Sequence, residues 1–389
     1  MSTTTRTYLD WNATAPLLPA VRDALVSALD LSGNPSSVHK EGRAVRAAVE
    51  AARRDVAALV GAQASHVVFT SGATEAANLV LSPVFKMGRA PLSISYLYVS
   101  AIEHPAIREG GRFDKADVTE LAVTPDGVID LAALEAALAS HDKASGMAMV
   151  ALMLVNNETG IIQPVAEAAQ LVHAAGGLLV VDAVQAVGRI PVDIEALGAD
   201  FLIVSSHKIG GPKGMGALIS RGEVMMPKPL IHGGGQEKGH RSGTENTSAI
   251  IGFGTAAVEA LRIVDMDVPR LSALRAMLED AMRTAAPDVI IHGAEAARVC
   301  NTTFFTLPGL KSETGQIAFD IEGIALSAGA ACSSGKVGES HVLTAMGRDP
   351  KLGALRISLG VASTQDDIEK AIAAFAKISG RRKLSVQAA

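Results

Sequence analysis

The sequence predicts an α/β fold built on a mainly parallel sheet, with a smaller α/β lobe towards the C-terminus. Three observations carry that reading. Short apolar runs recur as candidate strands, Ala-rich amphipathic segments separate them, and an acidic, proline-containing interruption at Val264 to Pro269 divides the pattern in two.

Element by element, an amphipathic helix is expected over His39 to Val60, a strand over Val67 to Thr70 and a helix from Glu75. Strands follow at Tyr96 to Ser100, Ala148 to Val155, Leu178 to Val181 and Phe201 to Ser205, with an Ala/Glu-rich helix at Val165 to Ala175. A new helical pattern starts near Leu271, and a last helix, Gln365 to Ile378, follows the cap residues Ser363 and Thr364. Ligands of such sheets bind beyond the carboxyl ends of the strands, so the loops after each strand are the places to search.

The chain has 389 residues, 48% of them apolar, and a net charge of −5, enough for one large core and a further lobe. Its longest basic run, Arg381-Arg382-Lys383, is too short for a nucleic-acid surface or a membrane anchor. Met1 to Pro19 lacks a charged stretch followed by an apolar one, and Met147 to Val155, read as the longest apolar run, cannot span a bilayer; no membrane contact and a cytoplasmic location are therefore expected. Two cysteines, Cys300 and Cys332, without CxxC spacing, give neither a disulfide framework nor a metal site. Cys300, ahead of Phe304-Phe305 in an expected strand, reads as a small buried hydrophobe.

Three clusters follow directly after expected strands. Thr70-Ser71-Gly72-Ala73-Thr74-Glu75 leaves free amides and a Thr hydroxyl at a helix start, which serves either ordinary capping or an anion. In Val180-Val181-Asp182-Ala183-Val184-Gln185 a carboxylate ends a buried strand; it either caps the next turn or faces a cation such as a protonated pyridine nitrogen. Ser205-Ser206-His207-Lys208, before the Gly-rich Ile209 to Gly214, offers a lysine that is either an ordinary surface charge or sits in a cleft, where burial favours a nucleophilic amine. Together, in chain order, they offer a phosphate cradle, a pyridinium partner and a Schiff-base lysine.

With these clusters in place, the chain resembles the cysteine desulfurases of the class V aminotransferase family, of the type serving nitrogen fixation or iron–sulfur cluster assembly. The resemblance rests on Tyr8-Leu9-Asp10, Asn12-Ala13-Thr14, Gly33 to Ser37, Ser71 to Glu75, Glu103-His104, Asn156 to Gly160, Ser205 to Lys208, Gly233 to Glu237, Arg241 to Thr244, Cys332 and Arg356. It implies the pyridoxal 5′-phosphate (PLP) transferase fold, aspartate aminotransferase-like, with a large PLP-binding domain at 15–263 and a small domain formed by 1–14 and 264–389 that carries the cysteine loop. It further implies that Lys208 holds PLP covalently, Asp182 pairs with the ring nitrogen, Gln185 bonds the ring hydroxyl and His104 stacks on the ring and moves protons. Thr74, Ser205 and His207 would hold the phosphate, with Thr244 donated by a second copy in a homodimer, and Ala73 would also contact the cofactor. Asn157 would lie near the ring, and Asn34, Asn157 and Arg356 would meet the substrate, the guanidinium offering a planar fork to its carboxylate.

Cys332, in the small-residue run Ser327 to Gly335, would take sulfur from L-cysteine as a persulfide, releasing L-alanine, and pass it to an iron–sulfur scaffold or another acceptor protein. No resident metal is expected, although Cys332 could contact an iron–sulfur cluster during transfer. Ala328 and Ala330 stand where the family's loop usually has serines, and the loop is of the longer variety, with Gly338 to His341 after it. Two other readings compete: a PLP lyase or aminotransferase acting on another amino acid, with Cys332 structural, and a non-catalytic scaffold, which the intact Lys208, Asp182 and Cys332 oppose.

Overall fold

The computed structural model describes residues 6–329 and 339–387. Among them, nine strands form the larger sheet. From edge to edge it runs Met225–Pro227, Val84–Met87, Ala90–Ser100, Met147–Met153, Leu178–Asp182, Phe201–Ser205, Gly216–Ser220 and Val67–Thr70, with Val118–Leu121 pairing the second half of Ala90–Ser100. The centre is parallel, and Val84–Met87 and Gly216–Ser220 are the two strands that run against the rest.

The central strands are apolar throughout because both faces are covered. Leu178, Val180, Phe201 and Ile203 pack on the side of the helix Ala73–Val80, whereas Leu179, Val181, Leu202 and Val204 pack on the side of the helices Lys40–Ala58, Val165–Ala174 and Thr247–Met266. That split follows the two-residue period of a strand. Thr247–Met266 is long and apolar enough to cross a membrane, which the reading of Met147 to Val155 as the longest apolar run overlooked. Here its Ile250, Phe253, Ala256, Ala257 and Ala260 belong to the core.

The break after this helix is one residue, Asp267, and the next helix is Val268–Ala285, earlier than the expected start near Leu271. Pro269 sits in its first turn, where the missing N–H has no intrahelical partner to lose. A second, antiparallel sheet follows: Ile290–Ile291, Thr302–Thr306, Leu355–Ser358 and Ser327–Ala328. It packs against the helices Val268–Ala285 and Gln365–Gln387 around Leu278, Phe305, Phe319 and Phe375. At the start of the described chain, Thr7–Tyr8 pairs in parallel with Ile324–Ala325, and Leu9 joins this second core.

Cys300 is buried in that core, as a small hydrophobe would be, but it lies in a turn ahead of Thr302–Thr306 and not in a strand. The Asn301 side chain donates to Asn12 Oδ1 and to the Leu359 carbonyl, which holds this stretch out of the ladder. The last helix runs past Ile378 to Gln387.

Candidate active site

The parallel strands end at one cavity of about 380 Å³, within the size range of small-molecule sites. Ala73, Thr74, His104, Asn157, Asp182, Gln185, Ser205, His207 and Lys208 all line it. Each arrives from the carboxyl end of a strand or the loop after it, so the sheet's parallel order converts distant sequence positions into one wall.

At the first of these ends, Gly72 precedes the helix Ala73–Val80 and offers no side-chain cap. The first-turn amides of Ala73, Thr74 and Glu75 have no acceptor within the helix, and the dipole there favours an anion. Glu75 accepts from the Ser71 amide at 2.8 Å and from Arg241 at 2.9 Å, which braces the turn from outside. The neighbouring strand fits closely: a Cβ on Gly216 would lie 2.6 Å from the Gly72 carbonyl carbon.

Asp182 ends its strand with Oδ1 accepting the Val184 amide at 2.9 Å. Burial pushes its carboxyl up to about 6, against the pull of the Val184 amide and Lys208. A cation placed beside it would relieve that cost. Gln185 Nε2 donates to the Asn12 carbonyl at 3.0 Å, and its Oε1 is buried with no partner, an acceptor that lacks a donor. Lys208 Nζ donates to the carbonyls of Asn12 and Ala13 at 2.7 and 2.8 Å.

Two histidines flank the lysine. His104 Nδ1 accepts the Ala106 amide at 3.1 Å, so a neutral ring carries its proton on Nε2. Burial, then the charges of Lys208 and His341, lower it to about 4, and the ring is neutral at pH 7. His207 Nδ1 lies 3.1 Å from Thr14 Oγ1 and is also lowered to about 4, by burial, Lys208 and Lys213.

The remaining candidates sit elsewhere. Arg356 is buried, with Nη2 on Asp10 at 2.9 Å, Nη1 on the Asn157 carbonyl at 2.8 Å and Nε without a partner. It is adjacent to the cavity through Asn157 but not part of its lining. Asn34 is exposed, its Oδ1 accepting the Ser36 amide at 2.8 Å. Thr244 lines a separate cleft with Thr70, Ser71, Glu237 and Arg241. Cys332 lies outside the described residues.

Comparison with known proteins shows the family. The family description "Aminotransferase class-V" matches residues 7–371. The chain belongs to the class-V aminotransferase family. Within the family, it is 37% identical to an "IscS-like cysteine desulfurase" of Mycobacterium tuberculosis, over 94% of each chain. It is 40% identical to a cysteine desulfurase of Frankia sp., over 94% of this chain and 89% of that one. Among solved structures, a NifS-like protein from Rickettsia africae superposes with a TM-score of 0.85 at 35% identity, covering 96% of this chain and 99% of the other.

The cofactor of this class-V enzyme is PLP, and the cavity fits it. The unpartnered Gln185 Oε1 suits a ring hydroxyl, the raised carboxyl of half-buried Asp182 suits a protonated ring nitrogen, and the helix start with Thr74, Ser205 and His207 suits a phosphate.

Three contributors had no role assigned from sequence. Asn12 is buried and holds together Lys208, Gln185, Arg189, Asn301 and Thr302. Asp10 takes both Arg356 and Ser327. Glu103 is fully buried, with Oε1 on the Met153 amide at 2.7 Å and Oε2 unpartnered; burial and the nearby Asp182 raise it well above the carboxylate range. Each lies in or beside a quoted motif, but its partners come from distant segments that no local signal announces.

Proposed function

We propose that this protein is a cysteine desulfurase that converts L-cysteine to L-alanine and carries the sulfur on Cys332 as a persulfide. The observation that carries the reading is the convergence of Lys208, Asp182 and the unpartnered Gln185 Oε1 on one cavity beside a helix start. When bound there, PLP supplies a sink for the electrons left at the substrate's α-carbon.

The chain's own residues do the rest. Asp182, ionised against the ring cation, and Gln185 fix the ring, while the amides of Ala73 and Thr74, with Ser205 and His207, hold the phosphate. Lys208 would hold the cofactor until the substrate amine displaces it, and its freed amine would then take the proton from the substrate α-carbon, while His104, neutral with its proton on Nε2, would stack on the ring and pass protons. Asn34, Asn157 and Arg356 meet the substrate, Arg356 at its carboxylate, once the fork now spent on Asp10 and the Asn157 carbonyl turns to it. Cys332, as thiolate, attacks the substrate sulfur; the sulfur–carbon bond breaks, its electron pair stays on carbon, and protonation there completes alanine.

Residues 15–263 form the PLP-binding part, and 1–14 with 264–389 form the second. Two copies would associate so that Thr244 of one serves the phosphate of the other, and the persulfide would pass to an iron–sulfur scaffold or another acceptor in the cytoplasm. The test is alanine and sulfide release from cysteine, with reductant present, by the wild type and Cys332→Ala. Equal yields from the wild type, both lost in a variant that keeps the visible PLP band, are the expected result. Undiminished release by the variant would leave a PLP lyase.

A further inference from the structure

We infer that Arg241 is the positioning residue of the phosphate cradle: it draws the Glu75 carboxylate away from the start of the helix Ala73–Val80 and offsets its charge, so that a phosphate can occupy that start. This deepens the function proposed above and rests on its placing of the cofactor phosphate there. The cradle is a thin wall between two hollows. Gly72, Ala73 and Thr74 line the cofactor cavity, whereas Thr70 and Ser71 line the separate cleft that also holds Arg241.

Glu75 follows Thr74 directly and lies in the first turn of the helix. A carboxylate there is favoured by the helix dipole, and it competes for the same positive end with any other anion. Its Oε2 already accepts the Ser71 amide at 2.8 Å. A phosphate at the neighbouring amides brings a second negative charge to this turn, and like charges sharing a partly buried site repel. A helix start gains from a first-turn carboxylate without any cation beside it, whereas two anions sharing that start need one.

Arg241 is that cation. Its Nε donates to Glu75 Oε1 at 2.9 Å and its Nη2 lies 3.5 Å from Oε2, a forked approach by side chains only 24% and 11% exposed. Among the described residues, no other cation pairs with Glu75. The guanidinium comes from the cleft and not from the cofactor cavity, so it balances the carboxylate without filling the phosphate position.

The segment that carries Arg241 grips the cradle on both sides. Glu237 accepts the Phe69 amide at 2.9 Å, in the strand that enters the turn, and is itself held by Arg53. Gln236 Oε1 accepts the Gly243 amide at 3.0 Å, and the Ser242 amide donates to the Ile231 carbonyl at 3.1 Å, which closes the segment on itself around Arg241. One stretch of chain therefore fixes the strand before the cradle and, through Glu75, the helix after it.

The experiment removes the cofactor from the wild type, Arg241→Gln, Glu75→Gln and the Arg241→Gln/Glu75→Gln double variant, each as the full chain. Each is then titrated with PLP and with pyridoxal, which lacks the phosphate, by absorbance and calorimetry. Arg241→Gln should bind PLP at least about tenfold more weakly while pyridoxal changes by less than about twofold, because only the phosphate meets the unbalanced carboxylate. Glu75→Gln keeps an acceptor for the Ser71 amide and loses the charge, so PLP should bind at least as tightly as in the wild type. The double variant should return to within about threefold of the wild type.

Equal losses of PLP and pyridoxal in Arg241→Gln would mean that Arg241 merely holds the fold together, and a double variant as weak as Arg241→Gln would mean that Glu75 is not the charge being offset; either result overturns the inference. Should Arg241→Gln fail to fold, Glu75→Gln decides: PLP affinity at or above the wild-type value supports the inference, and affinity below it overturns it. Wild-type protein that binds PLP no better than pyridoxal would remove the phosphate from this helix start, and the inference with it. Alanine release that survives in Cys332→Ala would defeat the desulfurase reading alone, since these affinities are measured without substrate.

Discussion

Asp182 pays for its position in the cofactor-free chain. Its carboxyl is raised to about 6, above its unfolded value, so its contribution to stability is present at low pH and is lost as pH rises through about 6. Asp182→Asn removes that dependence. The cofactor-free variant should lose less thermal stability than wild type between about pH 4 and about pH 7, followed by calorimetry. With PLP bound as proposed, the ring cation would stabilise the carboxylate and reverse the balance, and the variant should bind PLP at least about tenfold more weakly. Wild-type affinity would remove Asp182 from the ring. Glu103 differs: burial, then the nearby Asp182, pushes its carboxyl well above the carboxylate range, which favours the neutral form. Glu103→Gln preserves shape, neutrality and the acceptor for the Met153 amide, so urea unfolding should shift by no more than about 1 kcal/mol. A large loss would mean that the carboxyl is ionised after all.

At the scale of elements, the turn between Val67–Thr70 and Ala73–Val80 depends on its neighbour Gly216–Ser220. Thr70 pairs with Gly216, and a Cβ at Gly216 would meet the Gly72 backbone at 2.6 Å, where no flexible side chain can yield. Gly216→Ala should displace the helix start from the phosphate position, weakening PLP binding at least about tenfold while the far-UV circular dichroism stays unchanged. Unchanged PLP affinity would show that the turn tolerates the shift. This contact was not legible in the sequence. The apolar strands were, since Val67–Thr70 and Phe201–Ser205 have their expected bounds and Leu178–Asp182 extends its expected range by one residue. The antiparallel Gly216–Ser220 was missed: it pairs with the strand just before it, Phe201–Ser205, but also with Val67–Thr70, far away along the chain.

Across the whole molecule, buried charge is concentrated where segments distant in sequence meet. Arg53 reaches Glu237 through two bonds of 2.7 and 2.8 Å, with Glu237 also accepting the Phe69 amide. Glu237 and Lys238 adopt left-handed backbone, at φ of 49° and 55°, a conformation that costs residues with a Cβ and persists because the ion pair holds it. Arg53→Ala would strand a buried carboxylate, and the expected loss is about 3–5 kcal/mol in urea unfolding, relieved in part by adding Glu237→Gln. A loss below about 1 kcal/mol would mean that water reaches Glu237.

The division of labour between sequence and tertiary structure has a physical cause. Strand and helix types and the three loop clusters that hold Lys208 and Asp182 were legible because they depend on apolar period and on residue type next to a strand end, whereas the role expected of Gln185 came from the family resemblance. The partners were not. Asn12 under Lys208, Asp10 on Arg356 and Ser340 on Glu158 join residues far apart along the chain, and a buried polar side chain is satisfied by whichever group folding brings within reach. Sequence therefore set which groups could do the chemistry, while packing decided which of them meet and which are held apart.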